Sequence, residues 1–100
     1  MFKIVETDLI AKDKVEEHKA WVKRAQKVFE KHGLTFKVWR IEGRKAGQVF
    51  QEFGEHESRA AADAAIDKIM ADKEWQDLSQ ELDSELVVKG SREYFHLTDY

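Results

Sequence analysis

Chemistry in this sequence has to start from histidines, carboxylates and aromatic rings. It holds no cysteine, and therefore no thiolate nucleophile, disulfide framework or zinc-thiolate centre. His18 stands out among the 4 histidines. It falls inside a helical run of apolar residues, between Val15 and Val22, aimed at whatever that helix covers. A neutral imidazole there acts either as a general base or as a core side chain hydrogen-bonded to a strand carbonyl, a tyrosine or a glutamate. His18 is the candidate catalytic residue. Trp21, at the edge of the same run, together with Trp39, Phe50, Phe53 and Trp75, supplies ring surface enough to wall a flat apolar ligand such as a polyketide-like ring or a flavin, or to fill a core. These are the candidate substrate-binding residues. Glu6 and Asp8 would share one face of a strand, where paired carboxylates can split into an acid and a base. Their other reading is as exposed partners of Lys37 or Arg40.

Several chemistries find no footing. Glu55-His56-Glu57 lacks the helical His-Glu-x-x-His arrangement, and the histidines have no ligand-like spacing, so no metal is expected. Gly43 and Gly47 match neither a dinucleotide nor a triphosphate loop, and no cofactor is called for. The net charge of −3 hides a basic half, residues 12–45, and an acidic half, residues 51–86. The cations lie mostly on the outer face of one helix without interleaved aromatics, and the third strand lacks the basic-glycine-aromatic signature of RNA-recognition sheets. No nucleic acid is expected as a partner. No membrane is expected either, since no run approaches the roughly 20 apolar residues of a span. The start MFKIVETDLI does not read as a signal peptide, which leaves the cytoplasm as the expected compartment.

The elements that must position these residues follow from periodicity. Residues 2–9 suit an opening strand, and Asp13 with Glu16 looks like a capping box for a helix over about 14–32 that Gly33 stops. Residues 34–42 and 48–54 alternate as two strands around the hairpin loop GRKAG, residues 43–47. Ser58 caps an alanine-rich helix with Ala61, Ala65, Ile69 and Met70 nearest one stripe. Asp72 caps a second helical piece in which Trp75, Leu78 and Leu82 share a face. The stretch LVVKGSREYFHLTDY exceeds one ordinary strand, so Gly90-Ser91 is expected to mark a bulge or turn, with the segment 91–100 free to reach a neighbouring subunit.

The order strand, helix, strand, strand, helix, strand predicts an α+β, ferredoxin-like βαββαβ fold: one domain over residues 1–100, a four-stranded antiparallel sheet with its helices on one face. Whichever parity faces the helices, the other still presents large apolar groups, Phe36 and Val38 or Trp39 and Ile41, Phe50 or Phe53, Phe95 and Leu97 among them. An uncovered sheet face ought to be polar. A homodimer through that face is therefore expected.

The order of elements, the FQEFGEHESRAAADAA stretch and the ADKEWQDL stretch after it resemble the dimeric α+β barrel superfamily, in particular its antibiotic-biosynthesis-monooxygenase-like and NIPSNAP-like groups. The resemblance implies two sheets packed face to face and a pocket between each sheet and its own helices. It does not imply one chemistry. Haem-degrading relatives use an asparagine on the first strand with a tryptophan and a histidine on the second helical region. This chain has no asparagine, and no histidine within residues 59–85, so that activity does not carry over. The functional expectation is a small-molecule-binding dimer holding an aromatic ligand near His18, as a cofactor-independent monooxygenase-like enzyme. The alternative is a non-enzymatic assembly module of the same fold.

Overall fold

In the computed structural model, which describes residues 1–100, four strands form one antiparallel sheet: β1 (Phe2–Leu9), β2 (Phe36–Arg40), β3 (Gln48–His56) and β4 (Glu93–Thr98), in the order β2-β3-β1-β4. Helices α1 (Val15–Lys31), α2 (Arg59–Met70) and α3 (Lys73–Glu81) pack on one side, which is the ferredoxin-like arrangement. The core is an aromatic layer in which Trp21 and Phe29 of α1, Phe36 and Phe53 of the sheet and Trp75 of α3 meet, with ring centres as close as 5.2 Å. Trp21 also donates its indole N–H to the Leu78 carbonyl at 2.8 Å, so the ring is anchored as well as buried.

Local details differ from the sequence reading for identifiable reasons. The capping box at Asp13 does not form: Lys12–Lys14 make a single 3-10 turn, and α1 begins after Lys14 without a side-chain cap. Ser58 and Asp72 do cap, accepting from the backbone N–H groups of Ala61 and Glu74. The buried stripe of α2 runs through Ala62, Ile66 and Ile69, leaving Ala61 and Met70 in solvent. Leu82–Leu86 widen into a π-helical turn that tucks Leu82 and Leu86 into the core. The last strand starts only after Gly90-Ser91, and residues 93–98 pair along β1 within the same chain rather than remaining free.

One irregularity sets the face assignments. Lys3 pairs with Glu55 but Val5 pairs with Glu52, so β3 carries one extra residue at Phe53-Gly54. Gly54 adopts φ +86°, and a Cβ there would stand 2.8 Å from the His56 ring. Because of this bulge Val49, Gln51 and Phe53 face the helices, while Phe50, Glu52 and Glu55 face away.

The outer face presents Trp39, Phe50, Phe95 and Leu97, with Trp39 56% exposed and Phe50 and Phe95 touching across β1 at 6.1 Å between ring centres. It is not uniformly apolar. Lys3 pairs with Glu52 at 3.1 Å and with Glu55 at 3.5 Å along one edge of the patch. No helix is long and apolar enough to cross a membrane.

Candidate functional site

The carboxylates of β1 are buried and face the helices, not exposed partners of Lys37 or Arg40. Arg92, just before β4, answers them: its Nε lies 2.7 Å from Glu6 and 2.8 Å from Asp8, while Nη2 lies 2.7 Å from Asp83 of the π-helical turn. From the β3 side Gln51 donates Nε2–H to Asp8 at 2.6 Å and more weakly to Glu6 at 3.4 Å. Three acids around one cation cannot all be charge-balanced, and burial makes the surplus costly. Desolvation, reinforced by the neighbouring Asp8 and opposed by Arg92, pushes the Glu6 carboxyl up to about 8. Burial works against the Arg92 charge, but Asp8, Asp83 and Glu6 outweigh it and hold the guanidinium protonated more firmly than usual.

Glu6, Asp83 and Arg92 form the polar side of a cavity of about 220 Å³. Its other walls are apolar: Ile4 and Phe53 from the sheet, Phe29 from α1, Ile66 and Ile69 from α2, and Trp75 and Leu82 beyond. Tyr94 stands at one side, 60% exposed. A dry cavity of roughly 150 Å³ is enough to take a benzene ring. This space therefore suits a single-ring group presented to a carboxyl that still carries its proton at neutral pH.

A second cavity of about 340 Å³ lies at the other end of the helix-covered face, between the first half of α1 and the β2–β3 edge. His18 is on its inner wall, 4% exposed, with no hydrogen-bond partner for Nε2. Desolvation lowers its proton affinity, and nearby Gln51 and Asp8 only partly offset this. The ring is neutral at pH 7.

The sequence candidates are thus divided. Phe53 and Trp75 share the first cavity, and His18 belongs to the second. Trp21 lines neither: the centre of the α1 stripe passes through His18, Trp21, Ala25 and Phe29, so the ring that seemed to lie at its edge is wholly enclosed, with Val15 exposed instead. Trp39 and Phe50 face away from the helices. Arg92 had no sequence signal beyond its position before the last strand, and Asp83 lay in a turn read as plain helix. Glu6 and Asp8 were visible as a pair, but their partner was not.

No family model matches the chain, and no curated protein matches it by sequence. Solved structures do. A NIPSNAP domain protein from Burkholderia xenovorans superposes with a TM-score of 0.81 at 15% identity, over 100% of this chain and 95% of that one. A NIPSNAP family protein from Agrobacterium tumefaciens gives 0.78 at 19% identity, over 99% and 92%. An antibiotic biosynthesis monooxygenase gives 0.64 at 14% identity, over 100% and 99%. At such identities the likeness shows the fold, which is the one the sequence resembles.

Proposed function

From the fold shared with NIPSNAP domain proteins and an antibiotic biosynthesis monooxygenase, we propose that this protein binds a small aromatic molecule in the Glu6–Arg92 cavity as a homodimer, and moves a proton to or from it through Glu6. One observation carries the reading: a carboxyl pushed up to about 8 sits on the only strongly polar side of an otherwise apolar, ring-sized space. A group with that affinity can both give and take a proton near neutral pH. Arg92 is placed to steady a phenolate or enolate as it forms. Deprotonating an electron-rich ring is the opening step that cofactor-independent oxidation by dioxygen requires, so a monooxygenase-like reaction on an aromatic or polyketide-like substrate fits this site. Phe53 and Trp75 keep the ligand-wall role, and Glu6 takes the proton-transfer role that the sequence suggests for His18.

The dimer rests on the outer sheet face. Burying Trp39, Phe50, Phe95 and Leu97 against a second copy removes from water side chains worth about 1.5–3 kcal/mol each when fully buried, against several kcal/mol of lost freedom.

Trp75 is the built-in reporter. Titration with naphthols and hydroquinones should quench its fluorescence saturably. Glu6→Gln should retain binding and lose oxygen consumption. Absence of saturable quenching by any ring compound overturns the reading. The assembly-module alternative draws on the same exposed face and on the two-signed charge. It would show as salt-dependent growth beyond a dimer in light scattering, with neither cavity taking a ligand.

A further inference from the structure

The second cavity goes beyond this reading and does not depend on it. Its floor is aliphatic, made by Ile10, Val22, Val38 and Val49. Its rim holds Lys19, Lys23 and Arg40, and no carboxylate lines it. Lys19 and Arg40 each touch an exposed glutamate outside the cavity, Glu16 at 3.4 Å and Glu42 at 2.7 Å, while Lys23 makes no ion pair. The rim therefore has positive charge to spare around an opening whose interior is greasy. At the inner end lies the buried imidazole of His18 with its Nε2 unpartnered. A buried polar atom left without a partner is destabilising, and a ligand group able to hydrogen-bond there would recover that loss. The His18 ring itself forms part of the lining.

Three features of one lining, cationic side chains, aliphatic side chains and a neutral imidazole, describe one kind of occupant. We propose that this cavity binds an organic monocarboxylate with an apolar body and a hydroxyl at its far end, the carboxylate held by Lys19, Lys23 and Arg40 and the hydroxyl by His18. The imidazole accepts from or donates to the hydroxyl according to its tautomer, and needs no charge to do so. The rim cations, half in water, supply selection for an anion more than raw affinity.

Para-hydroxyphenylpropionate carries all three features, and two relatives each lack one. Phenylpropionate lacks the hydroxyl, and para-hydroxyphenylpropionamide lacks the charge. Titrating the folded protein with each, followed by NMR of the His18 ring and the methyls of Val22, Val38 and Val49, should give saturable shifts at those groups for the complete ligand. Each truncated relative should bind about tenfold more weakly. Lys23→Glu should weaken the carboxylate by about threefold or more and leave the amide unchanged. Val38→Trp should abolish the shifts by filling the space. In all of these the signals of Ile66 and Tyr94, at the other cavity, should stay still. Equal binding of all three compounds, shifts that centre on Ile66 and Tyr94, or no saturable shift with any of them would overturn the assignment.

Discussion

Under β1, β4 and the α2–α3 junction, Glu6 of the sheet stands with Arg92 and Asp83 beside a space of about 220 Å³. Between β2 and the first half of α1, the helix supplies a neutral His18 with an unpartnered nitrogen, and Lys19, Lys23 and Arg40 stand at the rim with no acid, around about 340 Å³. Gln51 and Asp8 lie between them, bonded to each other at 2.6 Å. The two regions share a sheet face and differ in how polarity is managed. In the first, the buried carboxyls of Glu6 and Asp8 and the half-exposed Asp83 gather around one guanidinium, so each polar group has a partner. In the second, charge stays at the water boundary and the buried polar group is left idle. A ligand entering the first must fit among groups already committed to partners. One entering the second would find an unmet hydrogen bond and a surplus of positive charge.

That contrast breaks most visibly at Arg92. Replacing it by leucine strands Asp8 and Asp83 without a cation, and urea unfolding at pH 7 should show a loss of about 2–4 kcal/mol, below the value for a fully buried pair because part of the guanidinium reaches water. Adding Asp8→Asn to Arg92→Leu should recover part of that loss, as expected for groups in one network. Additive effects would mean the cluster is not coupled.

A middle-sized effect concerns pH. The Glu6 carboxyl keeps its proton up to about 8 when folded and to about 4.5 when unfolded, so between these values the folded chain holds the extra proton and stability falls as pH rises. Denaturation midpoints measured from pH 5 to pH 8 should decline for the parent and much less for Glu6→Gln, which has nothing to titrate there. Parallel slopes would place the proton elsewhere. The smallest effect belongs to the other cavity. His18→Leu removes the idle nitrogen at nearly constant volume, so stability at pH 7 should hold or rise by up to about 1 kcal/mol. A clear loss would reveal that the ring is already satisfied.

Much of the frame was legible because its signals are local. The β-rich composition of 2–9, the alternation in 48–54, the Ser58 and Asp72 caps and the glycine after α1 each act within a few residues, and the structure keeps all of them. The failures are of two kinds. Asp13 is a correct capping pattern displaced by a 3-10 turn, a choice that sequence spacing does not register. The site itself depends on distance along the chain: Glu6 and Arg92 meet only because β1 and β4 are neighbours in the sheet, and no pattern near either residue announces the other. Trp21 and Trp39 show the same limit for rings. Both are large aromatics with apolar neighbours, yet one is enclosed with its N–H bonded to Leu78 and the other faces water from an edge strand. Only the placement of the surrounding elements separates them.

The extra residue at Gly54 also governs how the strands first find one another. Sliding β3 by a single position along β1 would drive Glu52 and Glu55 into the greasy layer and turn Phe53 out to water, so mispaired encounters are punished at once. Sheets whose strands are distant in sequence fold slowly because the intervening chain must lose its freedom before the strands can meet. The kink favours one alignment of the first and third strands, and the last strand, from the far end of the chain, lies along the first and completes the pocket wall that Arg92 closes.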